Sequence, residues 1–153
     1  MKRPHFSWLI ATGCGIGYAP VAPGTLASAA AAALWYAFPL APSTQWFVCG
    51  ATVLIGTWAA QLTAKHARAK DPQSIVIDEI AGMWLALAGA PHTPLVLTAA
   101  FLLFRLFDIA KWPPMKQLER LPGGLGIMLD DVAAGLIARA ILALAILFRY
   151  TNF

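Results

Sequence analysis

From residue 4 to residue 64 the chain carries no Asp, Glu, Lys or Arg, and residues 80–104 are equally free of them. Such stretches cannot coat a soluble particle with polar groups. A charged residue at the centre of a membrane helix costs roughly 2.5–3.5 kcal/mol on insertion scales, so long uncharged apolar runs are what a lipid solvent selects. The rest of the composition agrees: 59% of the 153 residues are hydrophobic and 12% are charged, against about 25% charged in soluble domains. Mean hydropathy is +0.68. The length fits a single membrane-embedded domain over residues 1–153.

Five apolar segments are expected as helices, approximately Leu26–Phe38, Gln45–Ala64, Ile75–Gly89, Leu95–Ile109 and Val132–Phe148. The expected fold is therefore all-α, an integral membrane helical bundle of about four to five apolar helices. Only the second and fifth segments approach the ~20 residues of a full span, and the three shorter ones suit buried or re-entrant helices as well. The Ala29–Ala33 stretch and Gly82, Gly89 and Gly135 allow close helix contact. Trp8, Trp46, Trp84 and Trp112 fall near segment ends and suit an aromatic belt. Cys14 and Cys49 have no ligand-like spacing and imply no disulfide framework. Lys2-Arg3 ahead of Phe6–Ile10 resembles a signal-peptide start, but the apolar region is too short, and an unprocessed N-terminus is expected.

Basic residues orient the bundle. With a cytoplasmic N-terminus, the inner segments hold Lys2, Arg3, Lys65, Arg68, Lys70, Arg105, Lys111, Lys116 and Arg120, whereas the outer turns Ala41–Thr44 and Pro91–Pro94 hold none. Only Arg149 is placed at the far end. This is the asymmetry of the positive-inside rule. The net charge of +4 sits mainly in loops, which suits anionic lipid headgroups and not nucleic acid. The same orientation brings four motifs to the cytoplasmic edge, and each carries chemistry.

The first is Gly13–Thr25, three alternating glycines and two prolines before Gly24-Thr25. A helix N-terminus capped by Thr25 there offers N–H donors to a phosphate; the alternative is a turn of small residues that lets helices approach. The second contains Asp78-Glu79, neighbours about 100° apart on a helix, so that one can bind a metal while the other orients a ligand. Compensation of the helix dipole explains the same pair more simply. The third places Arg105, Asp108 and Lys111 on one helical stripe, either as local ion pairs or as a phosphate-recognition set. The fourth is Gly123–Asp131, a glycine loop expected to deliver Asp130-Asp131 to the start of the last helix. Two carboxylates ~4 Å apart repel by about 4 kcal/mol at an effective dielectric near 20, so the assembled acids need a cation, protons or basic partners. All-oxygen ligands without paired histidines favour magnesium over zinc.

Taken together, the motifs resemble the phosphatidylglycerophosphatase A family of bacterial membrane lipid phosphatases. The resemblance rests on GxGxxPVAPGT (Gly15 to Thr25), IDEIAG (Ile77 to Gly82), FRLFDIAK (Phe104 to Lys111) and GGLGIMLDDVAAG (Gly123 to Gly135), in family order. One departure is visible: the family follows its lysine with Pro-Trp-Pro, where this chain has Trp112-Pro113-Pro114.

The resemblance implies magnesium-dependent hydrolysis of the terminal phosphate monoester of phosphatidylglycerophosphate, giving phosphatidylglycerol and phosphate. It also implies a multi-pass protein of the bacterial inner membrane whose active site faces the cytoplasm. Uncatalysed phosphate monoester hydrolysis is so slow that enzymes supply accelerations up to about 10²¹-fold, which requires charge neutralisation and an activated nucleophile. Asp78, Glu79, Asp130 and Asp131 are the expected metal ligands, with Asp108, Glu79 and Asp131 as catalytic candidates: Glu79 as ligand or general base, Asp108 as ligand, base or nucleophile. Thr25, Arg105 and Lys111 are expected to hold the phosphate. His5, His66 and His92 lie outside the motifs and are expected to be ordinary interface residues. Two alternatives fit less well. A magnesium-dependent CDP-alcohol phosphotransferase needs an aspartate array that is absent, and an ion or lipid transport subunit needs charges near the midplane. Nothing in the sequence specifies an oligomeric state.

Overall fold

The computed structural model describes residues 6–151, and every regular element among them is helical. Lys2, Arg3 and His5 lie outside the described residues. In chain order the α-helices are α1 (Phe6–Ala11), α2 (Pro23–Ala37), α3 (Pro42–Ala67), α4 (Ile77–Leu87), α5 (Pro94–Ala110), α6 (Met115–Leu118) and α7 (Gly124–Thr151). A 3-10 turn, Ile16–Tyr18, separates α1 from α2. The five apolar segments correspond to α2, α3, α4, α5 and α7.

Local chemistry explains most of the boundaries. Pro23, Pro42 and Pro94 open α2, α3 and α5, in the first turn, where a missing N–H costs nothing. Thr93 caps α5 by accepting from the Val96 N–H at 3.3 Å. Arg68 (φ 54°) and Lys111 (φ 44°) end α3 and α5 in the left-handed conformation. Gly89, expected at a helix contact, instead has φ 67° in the turn after α4. The last helix departs furthest from expectation. It begins at Gly124, so Asp130 and Asp131 stand well inside it and not at its start. The glycines there serve packing: the Gly124 N–H donates to Gln61 Oε1 of α3 at 2.6 Å, and a Cβ at Gly126 would lie 3.0 Å from the Glu119 carbonyl oxygen.

Helix α4 is the hub. Only 11 residues long, it packs against α2, α3, α5 and α7. Its Gly82 backbone meets Gly135 of α7, where a Cβ would stand 3.0 Å from the Gly82 Cα. Small residues thus bring two helices into backbone contact, as packing in lipid favours. One buried cluster, around Trp35, Met83, Phe104 and Ala134, joins α2, α4, α5 and α7. A second, around Ala11, Ala60, Ile77 and Met128, joins α1, α3, α4 and α7. Trp84 belongs to this interior and not to an interfacial belt: its Nε1 donates to the Ala31 carbonyl at 3.0 Å and its ring lies 5.8 Å from that of Trp35. Arg139, unused in the sequence reading, sits within α7 and donates through Nη2 to the Gly89 carbonyl at 2.9 Å and through Nε to that of Ala88. A cation there satisfies carbonyls left open at the end of α4.

The outer surface is apolar. Phe47, Leu54, Trp58, Leu95, Leu102, Leu144 and Phe148 are all exposed, a pattern that marks a membrane or partner surface. Two helices, Pro42–Ala67 and Gly124–Arg149, are long and apolar enough to cross a membrane. Helices α2, α4 and α5, with 15, 11 and 17 residues, are shorter than the ~20 residues of a full span.

Candidate active site

All eight residues singled out from the sequence line one cavity of about 670 Å³: Thr25, Asp78, Glu79, Arg105, Asp108, Lys111, Asp130 and Asp131. Four segments supply them, namely the start of α2, the first turn of α4, the end of α5 and the second turn of α7. The Gly13–Thr25 motif divides between two tasks. Its second half, Pro20 and Ala22 to Thr25, lines the cavity. Its first half packs against the chain leading into α4: a Cβ on Gly13 would stand 3.2 Å from Val76 Cγ2, and there is no room for one on Gly17 beside the Ser74 carbonyl. Thr25 is not the helix cap expected of it; Ala22 holds that position, and Thr25 lies within the first turn of α2.

At the centre, Asp78, Glu79 and Asp131 each bring a carboxylate oxygen within 4.8 Å of the others. The neighbours Asp78 and Glu79 do converge, despite their angular separation on α4. Gly24 makes this possible, since a Cβ there would collide with the Glu79 carboxylate and stand 2.8 Å from its Cδ. Asp78 Oδ1 and Glu79 Oε2 are buried with no hydrogen-bond partner among the described residues. Buried carboxylate oxygens without donors are expensive, which makes them open ligand positions.

Two cationic arms flank the cluster. Arg105 pairs with Asp108 one turn along α5, and its Nη2 donates to Thr25 Oγ1 at 3.1 Å. Lys111 Nζ lies 3.0 Å from Asp130 Oδ2 and 3.1 Å from Glu119 Oε1. Burial opposes charge on Lys111, but its hydrogen bonds to Asp130 and Glu119 and their negative charge outweigh that and raise its pKa, so the ammonium stays charged. Asp130 is thereby drawn to Lys111 and stands apart from the three-carboxylate group, with its Oδ1 buried and unpartnered among the described residues.

The sequence reading missed three residues: Glu119, the second partner of Lys111, and Asp71 and Gln73, which line the cavity before α4. They lie in loops away from the edges of the apolar runs, so the signal that exposed the other acids does not reach them. The cavity then holds six carboxyl groups, from Asp71, Asp78, Glu79, Asp108, Asp130 and Asp131, against two cations, Arg105 and Lys111. A phosphate dianion is repelled by such a field unless a cation or bound protons offset the acids.

Comparison with known proteins finds a matching family. The family described as Phosphatidylglycerophosphatase A matches residues 9–146. A protein of Escherichia coli named "Phosphatidylglycerophosphatase A" is 39% identical over 88% of this chain and 80% of its own length. One of Haemophilus influenzae with the same name is 37% identical over 85% of this chain and 82% of its own. A Bacteroides thetaiotaomicron protein named "Putative phosphatidylinositol-3-phosphatase" is 39% identical over 95% of this chain and 97% of its own. No solved structure matches. A family match across nearly the whole chain, with relatives that align over most of their own lengths, places the protein in the phosphatidylglycerophosphatase A family.

Proposed function

We propose that the protein is a lipid phosphatase that removes the terminal phosphate monoester of phosphatidylglycerophosphate, yielding phosphatidylglycerol and phosphate in phospholipid biosynthesis. The observation that carries this reading is the cavity itself, in which three converging carboxylates lie between an Arg–Thr arm and a Lys arm. Family membership supplies the substrate class.

The donor set fits a hard divalent cation. Asp78, Glu79 and Asp131 offer only oxygen, two of them carry unpartnered buried oxygens, and the two basic residues leave the acids unbalanced. Oxygen donors without histidine or thiolate favour magnesium, with Asp130 Oδ1 available as a further ligand. Such an ion, when bound, supplies the positive charge that neutralises phosphoryl oxygens.

The chain's own residues do the rest. Arg105 grips phosphate oxygens through its planar fork, and Lys111 adds a point charge from the other side. Thr25 holds the Arg105 fork in place, and Asp130 and Glu119 hold Lys111. Asp108 is the carboxylate we assign to take the proton of the attacking water as its oxygen bonds to phosphorus. As the ester P–O bond breaks, the glycerol oxygen takes a proton from solvent water, and Asp108 returns to its carboxylate form by releasing its own proton to solvent.

We place the protein in the bacterial inner membrane as a multi-pass bundle, with this cavity on the cytoplasmic side. Supporting this, Lys65, Arg68 and Lys70 lead into the cavity residue Asp71, and Lys116 and Arg120 flank Glu119. The name of the Bacteroides relative favours a second headgroup, phosphatidylinositol 3-phosphate.

The test is phosphate release from each of the two lipids in detergent micelles, with and without magnesium, for wild type and Asp131→Asn. Metal-dependent release from phosphatidylglycerophosphate that disappears in the variant is expected. Release from the inositol lipid alone would replace the substrate, and release from neither lipid by folded wild type would overturn the phosphatase reading.

A further inference from the structure

A second cavity, of about 400 Å³, lies on the apolar side of the same helices. It is a groove between α2 and α3 with α4 as its floor, lined by Ala27, Ala30 and Leu34 on one wall, Thr52 and Gly56 on the other, and Trp84 below. The Gly13–Ile16 turn closes one end. Protein interiors pack with few voids larger than a water molecule. Apolar cavities stay dry, so hydrocarbon is the natural filling for a groove of this lining in a membrane.

The position of the groove indicates which hydrocarbon. Acidic cavity and groove share two helices: Thr25 and Asp78 line the first, Ala27 and Ile77 the second. The first turns of α2 and α4 are therefore the partition between a phosphate site and an apolar slot. From Ala27 to Leu34 the groove follows α2 for seven residues, ~10 Å at 1.5 Å per residue. A diacyl lipid whose phosphate entered the acidic cavity would have its glycerol near this partition, within reach of the slot.

We propose that the α2–α3 groove holds one acyl chain of the lipid substrate, so that the enzyme selects on chain length as well as on the phosphate. This rests on the lipid-phosphatase reading and extends it to the tails. Ala30 and Thr52 are partly exposed wall residues outside the phosphate site, so enlarging either one fills the slot without touching the chemistry.

The test compares kcat/KM for dipalmitoyl and dihexanoyl phosphatidylglycerophosphate in identical micelles, for wild type, Ala30→Phe and Thr52→Phe. Wild type is expected to prefer the long chains. Losing a well-filled apolar contact lowers specificity about tenfold or more, and this loss is expected for dipalmitoyl lipid only. Equal rates on both lipids in wild type, or equal changes on both in a folded variant, overturn the groove while leaving the phosphatase intact; wild type inert on both overturns the phosphatase reading. If neither variant folds, photo-cross-linking of wild type with a diazirine-tailed dipalmitoyl substrate decides. Label within 27–34 and 52–56 that unlabelled substrate displaces supports the proposal. Label that excess substrate does not displace marks bulk lipid, and label joining two copies marks a dimer contact; either outcome overturns it.

Discussion

A methyl group on residue 24 would have nowhere to go except into the Glu79 carboxylate. In the sequence Gly24 reads as part of a phosphate-binding turn, whereas in the fold it is the space that lets Glu79 reach Asp78 and Asp131. Gly24→Ala is therefore expected to leave the protein folded and lower kcat/KM by about 10²-fold, the scale of an ångström-sized misplacement; wild-type kinetics in a folded variant would remove Glu79 from the site. Asp108→Asn keeps the shape of the side chain and removes its basicity. If it handles the proton of the attacking water, kcat is expected to fall about 10²–10⁴-fold, measured as phosphate release at saturating lipid; unchanged kcat would leave Asp108 only the task of holding Arg105. The seven charged site residues were legible because they stand at or near the edges of uncharged runs, and Thr25 because it closes the Gly/Pro motif Gly13–Thr25. Glu119 was not, since a carboxylate in a loop is an ordinary solvated charge until folding sets it 3.1 Å from Lys111.

Among the elements, α4 and α7 carry the architecture, and their crossing depends on two residues without side chains. Gly82 and Gly135 bring the backbones together, with Phe104 filling the flank. Gly135→Ala is expected to destabilise the protein by about 1–3 kcal/mol through overpacking, read as a lower unfolding midpoint in detergent; an unchanged midpoint would mean that the crossing can relax. Helix identity was readable for α2, α3, α4, α5 and α7, because apolar runs bounded by Pro, Gly and charge favour helices, whereas the short α1 and α6 were not expected. The start of α7 was not readable either. Glycines at 123, 124 and 126 read as a flexible loop, but α3 lies against Gly123 and Gly124 and supplies Gln61 as a partner, while the backbone of Glu119 and Leu121 lies against Gly126, so tertiary contact overrides weak helix propensity.

For the whole molecule, the unbalanced acids and the one-sided basic loops lead to two tests. Removing divalent cations with EDTA is expected to abolish phosphate release, and added magnesium to restore it; activity that survives full chelation would require the acids to be held by protons instead. Orientation is tested with single cysteines at Lys70 and Thr44 in a background with Cys14→Ala and Cys49→Ala. A membrane-impermeant thiol reagent applied to intact cells is expected to label position 44 and spare position 70 until the membrane is opened, and the reverse pattern would place the cavity outside. Hydropathy and charge spacing are local properties, so the sequence by itself determined the apolar character of the helices, the helical class and which acids and bases are available. Which carboxylates converge, which pair with a cation, and where an apolar slot opens depend on how α2, α4, α5 and α7 cross. Those contacts join residues up to 80 positions apart, and only the packed bundle decided them.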